Sequence, residues 1–501
     1  MKYKFNYHDL ICVLILLLLL ILYSSLLLQP NIRMDEFGSI WVISGDFRNI
    51  FDSFQYGTGQ SLLYSFVLWT IKTYVANSIH VFRLFSLLAI LLSALLLKKI
   101  AVILFPKFSD ESNLLPLLFL SEARTIYTAT EVRPYPLAIL FSVCSTLYLV
   151  KACKSKLESE YLFIYGIFYS LMLYCHLLFS IIIIPQLITV ALLTSGKIEL
   201  RALCKKLLIT CCLMIFLSIP LYGQISYLTA ISNKIIVMKD FTFEYLFAVL
   251  KIEVMVLVFF FLLFVLFRSK LILKAKYDYD YQISNEGIVV LSYYIIPFVI
   301  LFLISWTTGA NIFVPRYFSY TVAFKAFIIF LVFCSVDNSL WYKLILYVYL
   351  VSISIFYTYN LISFTQEGWV EAAKLIKDSN QRKECPILYN SFYIEANYLD
   401  LINNDKVNKF ITYPIKYFGL ANKLIMLPNN CKTEDNIEYL KEQLQDLQRL
   451  DVDCFWLYSN QYYLPRLKNC SLLKQLLENN NIIKSLEFEK GLARLNRYQD
   501  K

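Results

Sequence analysis

Charged residues make up only 17% of this 501-residue chain, against about 25% in ordinary soluble proteins, while 58% of positions are hydrophobic. That scarcity of charge excludes a water-facing globule, and a mean hydropathy of +0.57 places the chain among membrane proteins. Glycine (12) and proline (13) are too few for a collagen-like or linker-rich chain, and the apolar content excludes disorder. Also missing are a Gly-rich phosphate loop, a zinc-type Cys-x-x-Cys, an internal repeat and any low-complexity tract beyond one leucine run. A net charge of +10 is no sign of nucleic-acid binding here. Residues 1–361 hold 28 Lys/Arg against 19 Asp/Glu and the remainder 19 against 18, so the excess belongs to membrane topology. What the sequence does have is aromatics, 38 Tyr and 39 Phe, suited to many membrane–water boundaries.

Roughly 20 apolar residues cross the ~30 Å hydrocarbon layer. Hydropathy predicts eleven spans, at about 10–29, 81–104, 113–130, 136–152, 160–175, 177–194, 207–222, 246–267, 288–306, 317–334 and 344–361. The first follows Lys2 and Lys4 without a small-x-small cleavage site, which predicts an uncleaved signal anchor and a cytoplasmic N-terminus. With that start, inside loops and span ends carry 17 Lys/Arg and outside ones eight, as cytoplasmic loops should. An odd number of spans then puts the C-terminal region outside. Gly59 to Val75 is apolar too, but a span there would invert every later loop, so it is expected to lie in the outer interface, anchored by Tyr64, Trp69, Lys72 and Tyr74. The run Tyr161 to Leu193 is too long for one crossing and is divided at Cys175-His176.

Two domains follow: 1–361 in the membrane and 362–501 as an extracytoplasmic α/β domain. From Gln366 onward the patterns predict a helix (EGWVEAAKLIKDS), a strand (PILYN), an amphipathic helix (IEYLKEQLQDLQRL), a strand (DCFWLYS) and a closing strand pair (IIKSLEFE, LARLNRY). Cys385, Cys431, Cys454 and Cys470 all lie there, in a compartment that is oxidising if the topology holds. Three pairings are open, and four buried thiols are the alternative. The other eight cysteines read as small apolar residues.

Chemistry concentrates on the outer side. Asp35 and Glu36 directly follow the first span; Glu131, Arg133 and Tyr135 lie between spans three and four; Pro315-Arg316-Tyr317 opens the tenth; and His176 occupies an outer turn. Singly, each has a plain reading: a solvated loop, arginines snorkelling to headgroups, a packing histidine. Together, acids and cations at one interface suit transfer from a lipid phosphate, with a carboxylate deprotonating an acceptor and arginines neutralising the departing phosphate. Glu122 and Arg124 fall within the third span, where ionisable groups indicate either a polar cavity or a local Glu–Arg pair. A divalent metal has carboxylates to bind, but no His/Cys/Asp spacing requires one.

The Asp35-Glu36 placement, the segment YTATEVRPYPL, the turn YCHLLFS, PRYF ahead of a late span and an outside α/β tail resemble the GT-C membrane glycosyltransferases. The bacterial protein O-mannosyltransferase and lipid A aminoarabinose transferase group is the branch they resemble most. The resemblance implies a multi-pass inner-membrane enzyme that moves a sugar, with inversion, from a polyprenyl-phosphate donor to a lipid, glycan or protein acceptor on the outer face. It implies Asp35 as the base with Glu36 beside it, Glu131 as the acid of the second outer loop, and Arg316 as the donor-phosphate ligand. Arg133, Tyr135, His176 and Tyr317 are placed by it near that phosphate. Two departures are the sequence Gly59-Gln60-Ser61-Leu62, where relatives carry a His-Pro-Pro-like run, and Glu122 in place of a frequent proline. Rival readings are a transporter or flippase of lipid-linked sugars, disfavoured by the missing repeat, and a non-catalytic sensor.

Overall fold

The computed structural model describes residues 7–56, 61–196, 198–226, 284–308, 312–335, 340–364, 368–379, 385–391, 393–429, 433–449, 454–460, 473–474, 482–490 and 493–500. The first eleven α-helices are α1 (Tyr7–Leu27), α2 (Met34–Ser44), α3 (Phe47–Tyr56), α4 (Leu62–Tyr74), α5 (Ile79–Leu104), α6 (Leu114–Leu120), α7 (Ala123–Ala129), α8 (Tyr135–Lys154), α9 (Ser159–Cys175), α10 (Ile183–Thr194) and α11 (Leu200–Ser218). The chain divides into two compact units: Met1–Leu28 with Thr58–Asn360, and Gln29–Gly57 with Leu361–Lys501. The second join falls beside the expected 361/362 boundary. Gln29–Gly57, expected with the membrane part, groups with the C-terminal residues instead.

The first unit is helical. Seven of its described helices are long and apolar enough to cross a membrane: Leu10–Leu27, Ile79–Leu104, Tyr135–Lys154, Leu177–Thr194, Arg201–Ser226, Asn285–Thr308 and Leu344–Ser363. These match seven of the eleven expected spans, and 246–267 lies outside the described residues. Of the other three, the one expected at 160–175 is present as α9, and two differ. The span expected at 113–130 is broken into α6 and α7, with Ser121 and Glu122 between them. α9 has 17 residues, about 26 Å, and the tenth is a 15-residue helix, Thr321–Ser335, after a 3₁₀ turn at Pro315–Phe318. The division at Cys175-His176 is present: α9 ends at Cys175 and His176 is extended. α4, at 13 residues, is too short to cross; the Ser61 hydroxyl caps it by accepting from Tyr64 N at 2.9 Å.

α8 packs on α5, α9 and α10. Its face is lined with small residues, Ala138, Ser142, Ser145 and Ala152, all buried, which let helices approach where no hydrophobic drive separates helix from lipid. Polar links join them: Gln186 Nε2 donates to Ser145 Oγ (3.1 Å) and Tyr165 Oη donates to Gln186 Oε1 (2.9 Å). Breaking a helix in an apolar bundle exposes carbonyls, and the break after α6 is repaired locally. Tyr23 Oη donates to Leu120 O at 2.7 Å, and a Glu122 carboxylate oxygen accepts from Arg124 N at 2.9 Å, capping α7.

The second unit is an α/β fold on a five-stranded sheet ordered β2-β1-β3-β5-β4, with β1 Ile387–Asn390, β2 Leu424–Leu427, β3 Cys454–Asn460, β4 Ile482–Lys490 and β5 Ala493–Asp500. β1 pairs in parallel with β2 and β3, and β5 runs antiparallel to both β3 and β4. The helix Glu434–Arg449 sets Leu440, Leu444 and Leu447, at helical spacing, into a core with Leu388, Ile425, Phe455 and Leu457. Trp369, at the start of the helix Trp369–Ser379, meets Tyr458 at 5.7 Å. Every tail element expected from the sequence is present. The additions are β2 and three short helices, Leu399–Ile402, Asp405–Ile411 and Tyr413–Tyr417. The β1–β3 register, Ile387 opposite Trp456, also sets Cys385 opposite Cys454, and these two form a disulfide with Cα atoms 5.3 Å apart. Cys431 and Cys470 lie outside the described residues.

Candidate active site

Two loops and a turn of the helical unit converge. Thr130 Oγ1 donates back to Ile126 O (3.0 Å), and Ser86 Oγ of α5 donates to Glu131 O (2.7 Å), so the segment Glu131–Pro134 is anchored where it leaves α7. Pro136 in the first turn of α8 starts that helix, since a proline there sacrifices no hydrogen bond. Tyr135 is thereby fixed at the helix start, with the Arg133 guanidinium carbon 5.8 Å from its ring centroid. His176, extended between α9 and the 3₁₀ turn Leu177–Ile182, places its ring 5.1 Å from Tyr135 and 5.6 Å from Tyr317. Arg316, in the turn Pro315–Phe318, lies 5.4 Å over Tyr317, and Arg124 of α7 lies 5.8 Å from the ring of Phe318 in the same turn.

The result is an aromatic floor of Tyr135, His176 and Tyr317 flanked by guanidinium groups. Burial, reinforced by the charges of Arg133 and Arg316, pushes the His176 imidazole down to about 3. It is neutral at pH 7, so positive charge here comes from the arginines, while the imidazole offers a hydrogen bond. Its Nδ1 is buried and has no hydrogen-bond partner among the described residues. Glu131 is buried, and its charge reaches Tyr135 together with those of Arg133 and Arg316. Two guanidinium groups thus stand beside aromatic rings at one place, and planar guanidinium forks are groups of the kind that bind carboxylates and phosphates bidentately.

Asp35 and Glu36 stand in the second unit, in the first turn of α2, and their environments differ. Glu36 is fully buried and accepts from Arg33 N at 2.8 Å, closing the helix start on itself. Asp35 is partly exposed. The adjacent acids thus differ: one is a buried helix cap and the other is partly exposed.

Glu122 has a partner that neither sequence reading named: besides accepting from Arg124 N, its carboxylate forms an ion pair with Lys325 of the helix Thr321–Ser335, whose side chain is 2% exposed. Sequence reasoning missed Lys325, although a lysine amid FKAFIIF was the signal. Arg83 was counted only as a topological charge, yet it is 1% exposed, one turn from Ser86 on α5. Among the described residues no three His, Cys, Asp or Glu side chains could hold a metal ion together.

No family model matches the chain, and no curated protein matches its sequence. Solved structures do. ArnT from Cupriavidus metallidurans bound to undecaprenyl phosphate aligns over 97% of this chain and 97% of its own, with a TM-score of 0.54 at 9% identity. The chain has the GT-C fold. Apo ArnT gives the same coverage at a TM-score of 0.55 and 10% identity. An Archaeoglobus fulgidus oligosaccharyltransferase tethered with an acceptor peptide is a weaker likeness, with a TM-score of 0.46 at 12% identity over 90% of this chain and 69% of that one.

Proposed function

We propose that this GT-C chain is an inverting glycosyltransferase that moves a sugar, a hexose or pentose, from a polyprenyl-phosphate donor to a lipid, glycan or protein acceptor on the outer face of the plasma membrane. One observation carries this reading: Arg133 and Arg316 meet around Tyr135, His176 and Tyr317. In the proposed reaction the acceptor hydroxyl loses its proton to Asp35 and its oxygen bonds to the anomeric carbon. The bond from that carbon to the phosphate oxygen breaks, and the lipid phosphate leaves with the electron pair. The arginines offset its growing charge and the neutral His176 adds a hydrogen bond. That ArnT is solved with undecaprenyl phosphate bound supports the donor class.

Arg316 tests it. Lysine keeps the charge but lacks the planar fork. Arg316→Lys is expected to leave insertion intact and weaken binding of undecaprenyl phosphate to the purified protein by about 1.5–3 kcal/mol, the scale of a charge-assisted hydrogen bond. Unchanged affinity in both Arg316→Lys and Arg133→Lys would mean that neither arginine grips the phosphate.

The orientation is part of the same proposal: N-terminus in the cytoplasm, α/β unit outside. The Cys385–Cys454 bridge favours an oxidising compartment. A phosphatase reporter that matures only outside the cytoplasm should be active when fused after Lys501, and activity of a cytoplasmic reporter alone at that site would reverse the orientation.

A further inference from the structure

Both flanks of α2 run into the helical unit, at Leu28 and Thr58, yet the helix itself belongs with the C-terminal residues. The contacts say why. Tyr393 Oη donates to Met34 O at 3.4 Å. Phe37 meets the edges of Tyr417 (5.5 Å) and Phe418 (5.8 Å), and Trp41 packs on Phe410 at 5.2 Å. Ser44 and Tyr413 share a side-chain hydrogen bond. Positions 34, 37, 41 and 44 form one stripe along a helix. Tyr393 also packs on Phe410, with ring centroids 4.2 Å apart and the rings tilted by 36°, so the gripping groups brace each other. The carbonyl held by Tyr393 directly precedes Asp35, and Asp35 lies off the gripped stripe.

We infer that the C-terminal α/β unit is a positioning device for α2: through Tyr393, Phe410, Tyr417 and Phe418 it sets where the Asp35 carboxylate stands, and so how fast the acceptor proton is removed. These are positioning residues, acting through Asp35. The inference rests on the proposed role of Asp35. Proton transfer depends steeply on the placement of the base, and displacement of a catalytic group by 1 Å can cost ~10²-fold.

The test uses the full-length protein in native membrane vesicles supplied with the polyprenyl-phosphate sugars extracted from the same cells. Tyr393→Phe removes one hydroxyl and keeps the ring contact; Phe410→Leu removes the brace. Each is expected to lower turnover at saturating donor on the order of tenfold, below the ~10²-fold of a full 1 Å misplacement, with donor KM unchanged. Amide exchange across Phe37–Ser44 should quicken while the rest of the chain keeps its protection. In an Asp35→Asn background the same changes should cost nothing more, because groups acting through one residue are not additive. Wild-type turnover in Tyr393→Phe and Phe410→Leu, with Asp35→Asn impaired, overturns the positioning role alone. So does an undiminished loss in the Asp35→Asn background, or a loss confined to donor KM. Normal turnover in Asp35→Asn overturns the role of Asp35 and this inference with it.

Discussion

Asp35→Asn is expected to lower turnover by about 10²–10⁴-fold at equal membrane abundance, the range for loss of a general base, while affinity for undecaprenyl phosphate stays as it was. Asparagine keeps the shape and the partial exposure of Asp35 but cannot accept the acceptor proton. The neighbouring residue is the internal control. Glu36 is fully buried and its carboxylate accepts from Arg33 N, so Glu36→Gln, whose amide oxygen can still accept, should cost little turnover and about 1 kcal/mol or less of helix stability. The two variants therefore separate chemistry from helix capping. Turnover by consumption of polyprenyl-phosphate sugar decides it. Near-normal activity in Asp35→Asn would make the acid a structural residue, and a greater loss in Glu36→Gln would exchange their roles.

Long apolar runs were legible because a span's signal is local: α1, α5, α8 and the helix Asn285–Thr308 each satisfy the bilayer-length rule within their own sequence. The α/β tail was legible for the same reason, through short continuous apolar runs such as PILYN, buried throughout as strand β1, and the 3.6-residue period of Leu440, Leu444 and Leu447. What the sequence hid is long-range or very short. β2 has only four residues, LIML, and becomes a strand by pairing with β1. The break between α6 and α7 lies inside an apolar stretch, and its satisfied carbonyl depends on Tyr23, 97 residues away. Cysteine spacing left three pairings, and only the β1–β3 register brings Cys385 to Cys454. In the candidate site, each motif residue was visible as an exception to the apolar pattern, but that His176 lies between Tyr135 and Tyr317 follows from three separate segments meeting. The association of α2 with the tail rests on aromatic contacts about 370 residues apart in sequence, with no local trace.

Lys325→Met is expected to destabilise the protein by about 3–5 kcal/mol, the cost of leaving one member of a buried ion pair without its partner. The reasoning starts from burial: the Lys325 side chain is 2% and that of Glu122 13% exposed, and the lysine sits within an otherwise apolar helix. A desolvated carboxylate that loses Lys325 and keeps only Arg124 as a nearby cation is driven to protonate or draw in water, and the N-terminus of α7, which Glu122 caps, would loosen with it. The double variant Glu122→Gln with Lys325→Met removes both charges while the glutamine can still accept from Arg124 N. It should recover most of the loss, since an apolar or neutral pair often replaces a buried ion pair at little cost. Thermal unfolding of the three proteins in one detergent provides the comparison. A single-variant cost below about 1 kcal/mol, the range of a solvated pair, would mean that Glu122 and Lys325 face water, restoring the polar cavity that the third span's charges had indicated. Recovery in the double variant, with Arg124 still reaching Phe318, would instead mark the pair as a fixed brace behind the arginine-lined turn.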